Sequence, residues 1–128
     1  VDILDEQKNI KQLGGTLRLG AYPSIVKKDS IVYNLYNDYD KFYDDGVAIE
    51  RHRHRYEINP KYVNQLEKAG LVFSGYYFDI KNSAKLMEYI ELPNHKFFVA
   101  SQAHPELKST FLEPNPLFMG FIKAASSS

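Results

Sequence analysis

An apolar run that ends in a knot of polar side chains limits this chain most. Residues 97–100 read Phe-Phe-Val-Ala, and Gln102, His104 and Glu106 follow at alternate positions. Four apolar residues in a row predict a buried strand. A buried strand that hands a histidine and a carboxylate to its end suits an α/β enzyme, whose ligands bind beyond the strand ends. Pro105 disfavours the α region for the residue before it, so His104 is expected to be extended. In an extended chain residues two apart project to the same side. Glu106 is therefore expected beside His104, where it accepts one ring N–H, fixes the tautomer and raises the basicity of the other nitrogen. That is the base-plus-orienter half of a catalytic triad, with the nucleophile as the missing third. A turn whose histidine only caps backbone groups would show the same short pattern, so spacing alone leaves both readings open.

The 128 residues are enough for one domain with a sizeable core. Sixteen basic and sixteen acidic residues cancel, which argues against a nucleic-acid partner. An apolar share of 44% with 14% aromatics fits a folded chain rather than a disordered one. No apolar run approaches the roughly 18 residues of a membrane span, and no charged-then-apolar leader is visible. Cysteine is absent. That removes disulfides, thiolate metal sites and cysteine nucleophiles from this stretch, and it fits a cytoplasmic protein.

Residues 1–13 read as a loop or ragged start. Thr16 to Leu19 alternate between glycines, which predicts a short strand. Those glycines lack P-loop spacing and serve close packing or positive φ better than a phosphate cradle. Residues 30–36 predict a short helix with Asp29 or Ser30 as N-cap, and the aspartate-rich stretch 37–46 a surface loop without EF-hand spacing. From Ile49 to Asn59, basic residues alternate strictly. On a strand Arg51, Arg53 and Arg55 share one face, and His52 and His54 the other. Two histidines without a third ligand make a poor metal site, so no metal is expected. The better reading presents one arginine to a carboxylate ligand and ties up the others in internal ion pairs.

Residues 60–69 form the clearest helix, with Asn59 as N-cap, Pro60 at N1 and Gly70 as C-cap. Tyr62, Val63, Leu66 and Ala69 would line its inner face. Two strands, 71–78 and 85–92, predict a hairpin across a turn at 79–83. Residues 116–125 predict a final helix capped by Asn115, with Leu117, Phe118, Phe121 and Ile122 buried. Residues 126–128 read as a tail. Neither repeats nor a second domain is visible.

Three segments carry a resemblance: Gly14-Gly15-Thr16-Leu17-Arg18-Leu19-Gly20, then Glu50 to Asn59, then Gln102-x-His104-Pro105-Glu106. In order and spacing they resemble the glutamine amidotransferase domain of the CTP synthase family. Pro116-Leu117-Phe118-x-Gly120-Phe121-x-Lys123-Ala124-Ala125 fits as well. The His-Pro-Glu element is shared by many class I amidotransferases; the Arg-His-Arg-His-Arg-Tyr-Glu run with Gly-Gly-Thr points to this family in particular.

The resemblance implies an α/β fold with a mostly parallel central sheet flanked by helices, incomplete in this chain. It implies that His104 is the triad base, Glu106 its orienter, Arg55 the grip on the α-carboxylate of L-glutamine, and Tyr56 its neighbour. In the family a cysteine attacks the side-chain amide, a thioester forms, and ammonia passes to a synthase domain that aminates UTP to CTP. The family's nucleophile lies upstream of the Gly-Gly-Thr segment, and only 13 residues precede Gly14. Residues 1–128 are thus expected to be the C-terminal portion of the domain, inactive alone. The expected partners are the upstream amidotransferase half and the synthase domain, in a homo-oligomer when complete. No cofactor is expected here; ATP and Mg2+ belong to the synthase domain. Lys96, Ala103 and Leu107 depart from the family pattern. The rival reading is a non-catalytic remnant kept as an assembly module.

Overall fold

The computed structural model describes Asp2–Ile3 and residues 18–127. Its strands are β1 (Asp2–Ile3), β2 (Arg18–Val26), β3 (Val47–His54), β4 (Tyr56–Glu57), β5 (Val72–Asp79), β6 (Ala84–Glu91) and β7 (Val99–Ser101). The main sheet has the order β3-β2-β5-β6-β7, and β1 pairs with β4 separately. Helices α1 (Ile31–Asp38), α2 (Val63–Lys68) and α3 (Pro116–Ser126) accompany the sheet.

Every strand pairing among the described residues is antiparallel. This corrects the expected mostly parallel sheet. A parallel neighbour needs a crossover that returns the chain to the end where the first strand began. The β2–β3 connection contains α1, yet it delivers Val47 beside Ile25, at the end β2 has just left. The β5–β6 connection is a tight turn that brings Ala84 opposite Asp79. The α/β character holds; the strand direction does not.

Local chemistry explains where the helices start. The Ser30 hydroxyl accepts from the Tyr33 N–H at 3.0 Å and caps α1. A second cap comes from across the fold. Glu91 of β6 is buried, and its two oxygens accept from the N–H groups of Ile31 at 2.9 Å and Val32 at 3.2 Å. A carboxylate is thereby set against the positive end of the helix. Asn115 accepts from the Leu117 N–H at 2.9 Å to open α3, and its amide donates to Glu50 Oε1 at 2.8 Å. The Tyr36 hydroxyl donates to the same Glu50 oxygen at 2.6 Å. Around this junction Val26, Val32, Tyr36, Ala48, Tyr89 and Leu117 form the core. The β5–β6 register shifts at Gly75, where a Cβ would lie 2.5 Å from the Tyr89 ring. A side chain there would displace Tyr89 from the core.

Several expectations are corrected. The helix expected over 60–69 divides into a 3-10 turn (Pro60–Tyr62) and the short α2. Asn59 caps it and Gly70 takes a φ of +104°, as expected. Its inner face is not buried, because the short helix leaves an open apolar groove of ≈ 360 Å³ between Tyr62 and Leu66 on one side and Phe73 and Ile90 on the other. The buried residues of α3 are Pro116, Leu117 and Gly120. A Cβ on Gly120 would sit 2.7 Å from Leu35, so the helix makes its close approach there and turns Phe118, Phe121 and Ile122 outward. The run 97–100 is not a buried strand: β7 has one neighbour, and Phe98 and Ala100 are exposed.

β2 runs on to Val26, past the expected end at Leu19. Pro23 is accommodated because β5 pairs with β2 only at Ile25 and Val26, leaving that side of Pro23 without a ladder. Asp2–Ile3 is a strand rather than loop, and α3 continues through Ser126. The rest of the expected ragged start and the segment Gly14 to Leu17 lie outside the described residues.

Candidate functional site

The sheet curls so that the chain just past β7 reaches the opposite edge strand β3, and the polar knot lies there. The Gln102 N–H continues the ladder to the Glu88 carbonyl at 2.8 Å, and the His104 N–H donates to the Arg51 carbonyl of β3 at 2.8 Å. Residues 102–104 thus bridge from β6 to β3. His104 Nδ1 lies 2.6 Å from Glu106 Oε1, with the two side chains 42% and 56% exposed. The contact is the expected one, but the backbone that makes it differs. His104 has φ −105° and ψ 82°, and Pro105 opens a 3-10 turn through Leu107. The turn, closed by the Leu107 N–H on the His104 carbonyl at 3.1 Å, swings Glu106 back to the ring. Proline restrains its predecessor, yet its own φ suits a first helical turn. The hydrogen bond from His104, and then its own backbone N–H, hold the Glu106 carboxyl below the ordinary range.

A second histidine–glutamate contact lies behind the first. His52 Nε2 is 2.9 Å from Glu88 Oε2, both side chains are at most 1% exposed, and the approach is not aligned as a hydrogen bond. Arg18 Nη1 donates to Glu88 Oε1 at 2.7 Å and to Glu57 Oε1 at 2.8 Å. Its guanidinium lies 4.6 Å from the centre of the Tyr22 ring and 5.0 Å from that of Tyr77. His52 Nδ1 and His54 Nε2 are 2.8 Å apart. The Tyr56 carbonyl accepts from Gln102 Nε2 at 2.7 Å, and His54 Nδ1 lies 3.0 Å from that carbonyl and 3.1 Å from the same amide nitrogen. The contact between the two rings needs one proton, carried by His52 Nδ1 or by His54 Nε2 according to the tautomer.

Burial, with Arg18 and His52 adding to it, lowers His54 to about 4. The ring is neutral at pH 7, and its 3.5 Å approach to Glu57 is not an ion pair there. Burial raises Glu57 to about 6 against the pull of Arg18. Burial also resists ionisation of Glu88, but His52 and Arg18 outweigh it and its carboxyl is lowered.

Arg55 forms the bend between β3 and β4 and Tyr56 opens β4; Arg55 is half-buried and Tyr56 is 51% exposed. The structure brings Tyr56 to Gln102, two residues from His104, through the carbonyl bond. Among the described residues no hydrogen bond or ion pair joins Arg55 to His104 or Glu106. The internal ion pairs expected of Arg51 and Arg53 are made by Arg18 instead, and both of those arginines are exposed. Nothing in the sequence marks Arg18, Glu57, Glu88 and the Gln102–Tyr56 link as one group. The shared face of His52 and His54 was the one visible signal of that cluster. No group of three acidic or histidine side chains among the described residues is arranged to hold a metal. Beside the pair, Phe97, Phe98, Phe118 and Phe121 line an open apolar groove of ≈ 530 Å³ that reaches Ala103 and Pro105.

The chain as a whole has counterparts among known proteins. The profile of the class I glutamine amidotransferases matches residues 2–124, and the chain belongs to that family. Within it, the chain is similar to CTP synthases. It is 54% identical over 127 residues to CTP synthase of Saccharolobus solfataricus, covering 99% of this chain and 22% of that protein. It is 49% identical over 125 residues to CTP synthase of Pyrococcus furiosus, covering 98% of this chain and 21% of that protein. The solved glutaminase domain of Trypanosoma brucei CTPS, with bound acivicin, matches with a TM-score of 0.82 at 37% identity. That match covers 98% of this chain and 45% of the solved one. The chain spans about a fifth of the length of these curated relatives.

Proposed function

We propose that this chain supplies the base and its orienter to the glutamine-hydrolysing site of a CTP synthase, as the C-terminal portion of the amidotransferase domain. The observation that carries the reading is the 2.6 Å contact between His104 Nδ1 and Glu106 Oε1 on an exposed turn. With Glu106 accepting the Nδ1 proton, His104 Nε2 is the free base. It takes the proton of a cysteine thiol supplied by the upstream part of the domain. The thiolate attacks the side-chain amide of L-glutamine, His104 returns the proton to the departing ammonia, and water then hydrolyses the thioester. Arg55 receives the α-carboxylate, for which a planar guanidinium is suited, and Tyr56 adjoins it.

The ammonia serves the ATP- and Mg2+-dependent amination of UTP to CTP in the synthase domain of the same cytoplasmic, homo-oligomeric enzyme. No step of that second reaction runs through these residues. This chain contains no cysteine and is expected not to turn over glutamine alone. The test combines it with the remainder of the amidotransferase domain and follows glutamine hydrolysis. Activity is expected with the wild-type sequence and its loss with His104→Ala; undiminished activity in that variant overturns the assignment.

A further inference from the structure

We propose that Gln102 is a positioning residue of the glutamine site: its side-chain amide holds the bend that carries Arg55 against the strand end that carries His104. The inference rests on the reading above, in which Arg55 takes the α-carboxylate and His104 is the base.

Regular ladders do little to hold this bend. The pairing of β3 with β2 ends at His54, and β4 pairs only through Tyr56 and Glu57. Arg55 falls between the two. What holds the backbone there is the Tyr56 carbonyl, which accepts from Gln102 Nε2 at 2.7 Å; His54 Nδ1 packs against both, 3.0 Å from the carbonyl and 3.1 Å from the amide nitrogen. Gln102 is itself fixed, because its N–H donates to the Glu88 carbonyl at 2.8 Å. It therefore joins a rigid strand end to the residue next to Arg55, and it stands two positions before His104.

The same bend is tied from behind. Glu88, whose carbonyl receives Gln102, presents its carboxylate to Arg18, and Arg18 reaches Glu57 beside Tyr56. This closed ring keeps the fold together from its buried side. Loss of the half-exposed Gln102 amide would then shift the bend rather than unfold the domain. A shift of about 1 Å in a group that positions substrate can lower turnover by about a hundredfold. Here the displaced group grips a non-reacting carboxylate, so the effect should fall on binding.

The experiment uses the protein with its complete amidotransferase domain, with L-glutamine as substrate. Gln102→Met keeps the length and removes both N–H donors. It should raise KM for glutamine about tenfold while kcat stays within about threefold, the split expected for lost ground-state binding. Gln102→Glu supplies an independent reading. As a carboxylate it repels the Tyr56 carbonyl; once protonated it donates an O–H to it. Its KM, relative to wild type at each pH, should therefore recover as the pH is lowered. The groups that face residue 102 are His54, whose Nδ1 is 3.1 Å from the Gln102 amide nitrogen, with Glu57, Glu88 and Arg18 behind it; the same pH series with His54→Gln in both backgrounds separates their titration from that of the new carboxyl.

An unchanged KM in Gln102→Met, or in Gln102→Glu a KM ratio that is flat with pH, overturns the positioning role. Should Gln102→Met fail to fold, the pH recovery of Gln102→Glu decides. His104→Ala in the same background separates the two readings. If it abolishes hydrolysis while the Gln102 variants behave like wild type, the site stands and the positioning role falls. If it leaves hydrolysis intact, the assignment of the site falls.

Discussion

Two histidine–glutamate contacts occur in this chain, and their surroundings give them opposite characters. His52 and Glu88 meet at 2.9 Å with almost no exposure, wedged against Arg18. His104 and Glu106 meet at 2.6 Å on a turn, with about half of each side chain open to water. The buried contact has no opening to solvent, and the Glu88 charge is taken up by Arg18 of β2. The open contact has no such neighbours and can exchange protons with whatever docks beside it. Geometry between two side chains therefore does not mark a site; accessibility and the fate of the remaining lone pairs do.

Exchanging the two histidines for alanine would break this comparison most directly. His104→Ala in the complete domain is expected to lower glutamine hydrolysis by about 10⁴-fold while moving stability by less than about 0.5 kcal/mol. His52→Ala should do the reverse, with a clear loss in urea unfolding. Equal effects of the two substitutions on stability would erase the distinction. Next in size, Arg18→Met leaves Glu57 and Glu88 buried without their cation and should cost about 3–5 kcal/mol, read from the denaturant midpoint. A midpoint at the wild-type value would mean that the ring of charges is not what holds β2, β4 and β6 together.

Acid sharpens the picture. His54 is held at about 4 against an ordinary 6.5, so the unfolded chain takes up its proton first as the pH falls. That removes up to about 3 kcal/mol of stability between pH 6.5 and 4. Glu57 works in the opposite sense. Its carboxyl is raised from 4.5 to about 6, so the folded state binds that proton first and gains stability as the pH falls through this window. Unfolding midpoints of His54→Gln should accordingly fall less steeply with acid than those of wild type; identical slopes would contradict a neutral buried ring. A smaller effect is expected at the bulge, where Gly75→Ala forces a methyl toward the Tyr89 ring and should destabilise by about 1–3 kcal/mol. Least of all, Arg53→Ala on the exposed face of β3 should change stability by less than about 0.5 kcal/mol.

What could be read in advance was what is local. Ser30, Asn59, Asn115 and Gly70 mark helix ends through their own side chains or backbone freedom, and each does so in the structure. His104 and Glu106 are two positions apart, and their contact was legible even though a turn rather than an extended strand makes it. The charge cluster was not legible, because Arg18 and Glu88 are 70 positions apart and nothing in either neighbourhood names the other. Strand direction is not legible for a similar reason: it depends on which end of a strand a connection returns to, and hydrophobic period does not record that. The face of α3 was rotated by one glycine, since Gly120 rather than a phenylalanine meets Leu35.

The proton shared by the two imidazoles of β3 has a practical use. It spans 2.8 Å between nitrogens, one of them on the His52 ring, which is 1% exposed. Such a hydrogen should exchange slowly enough to give its own downfield NMR resonance. The molecule thus carries a built-in reporter, a few bonds from the bend where substrate is expected to dock. If the proposed function holds, its chemical shift moves when L-glutamine is added to the complete domain, without any label being attached.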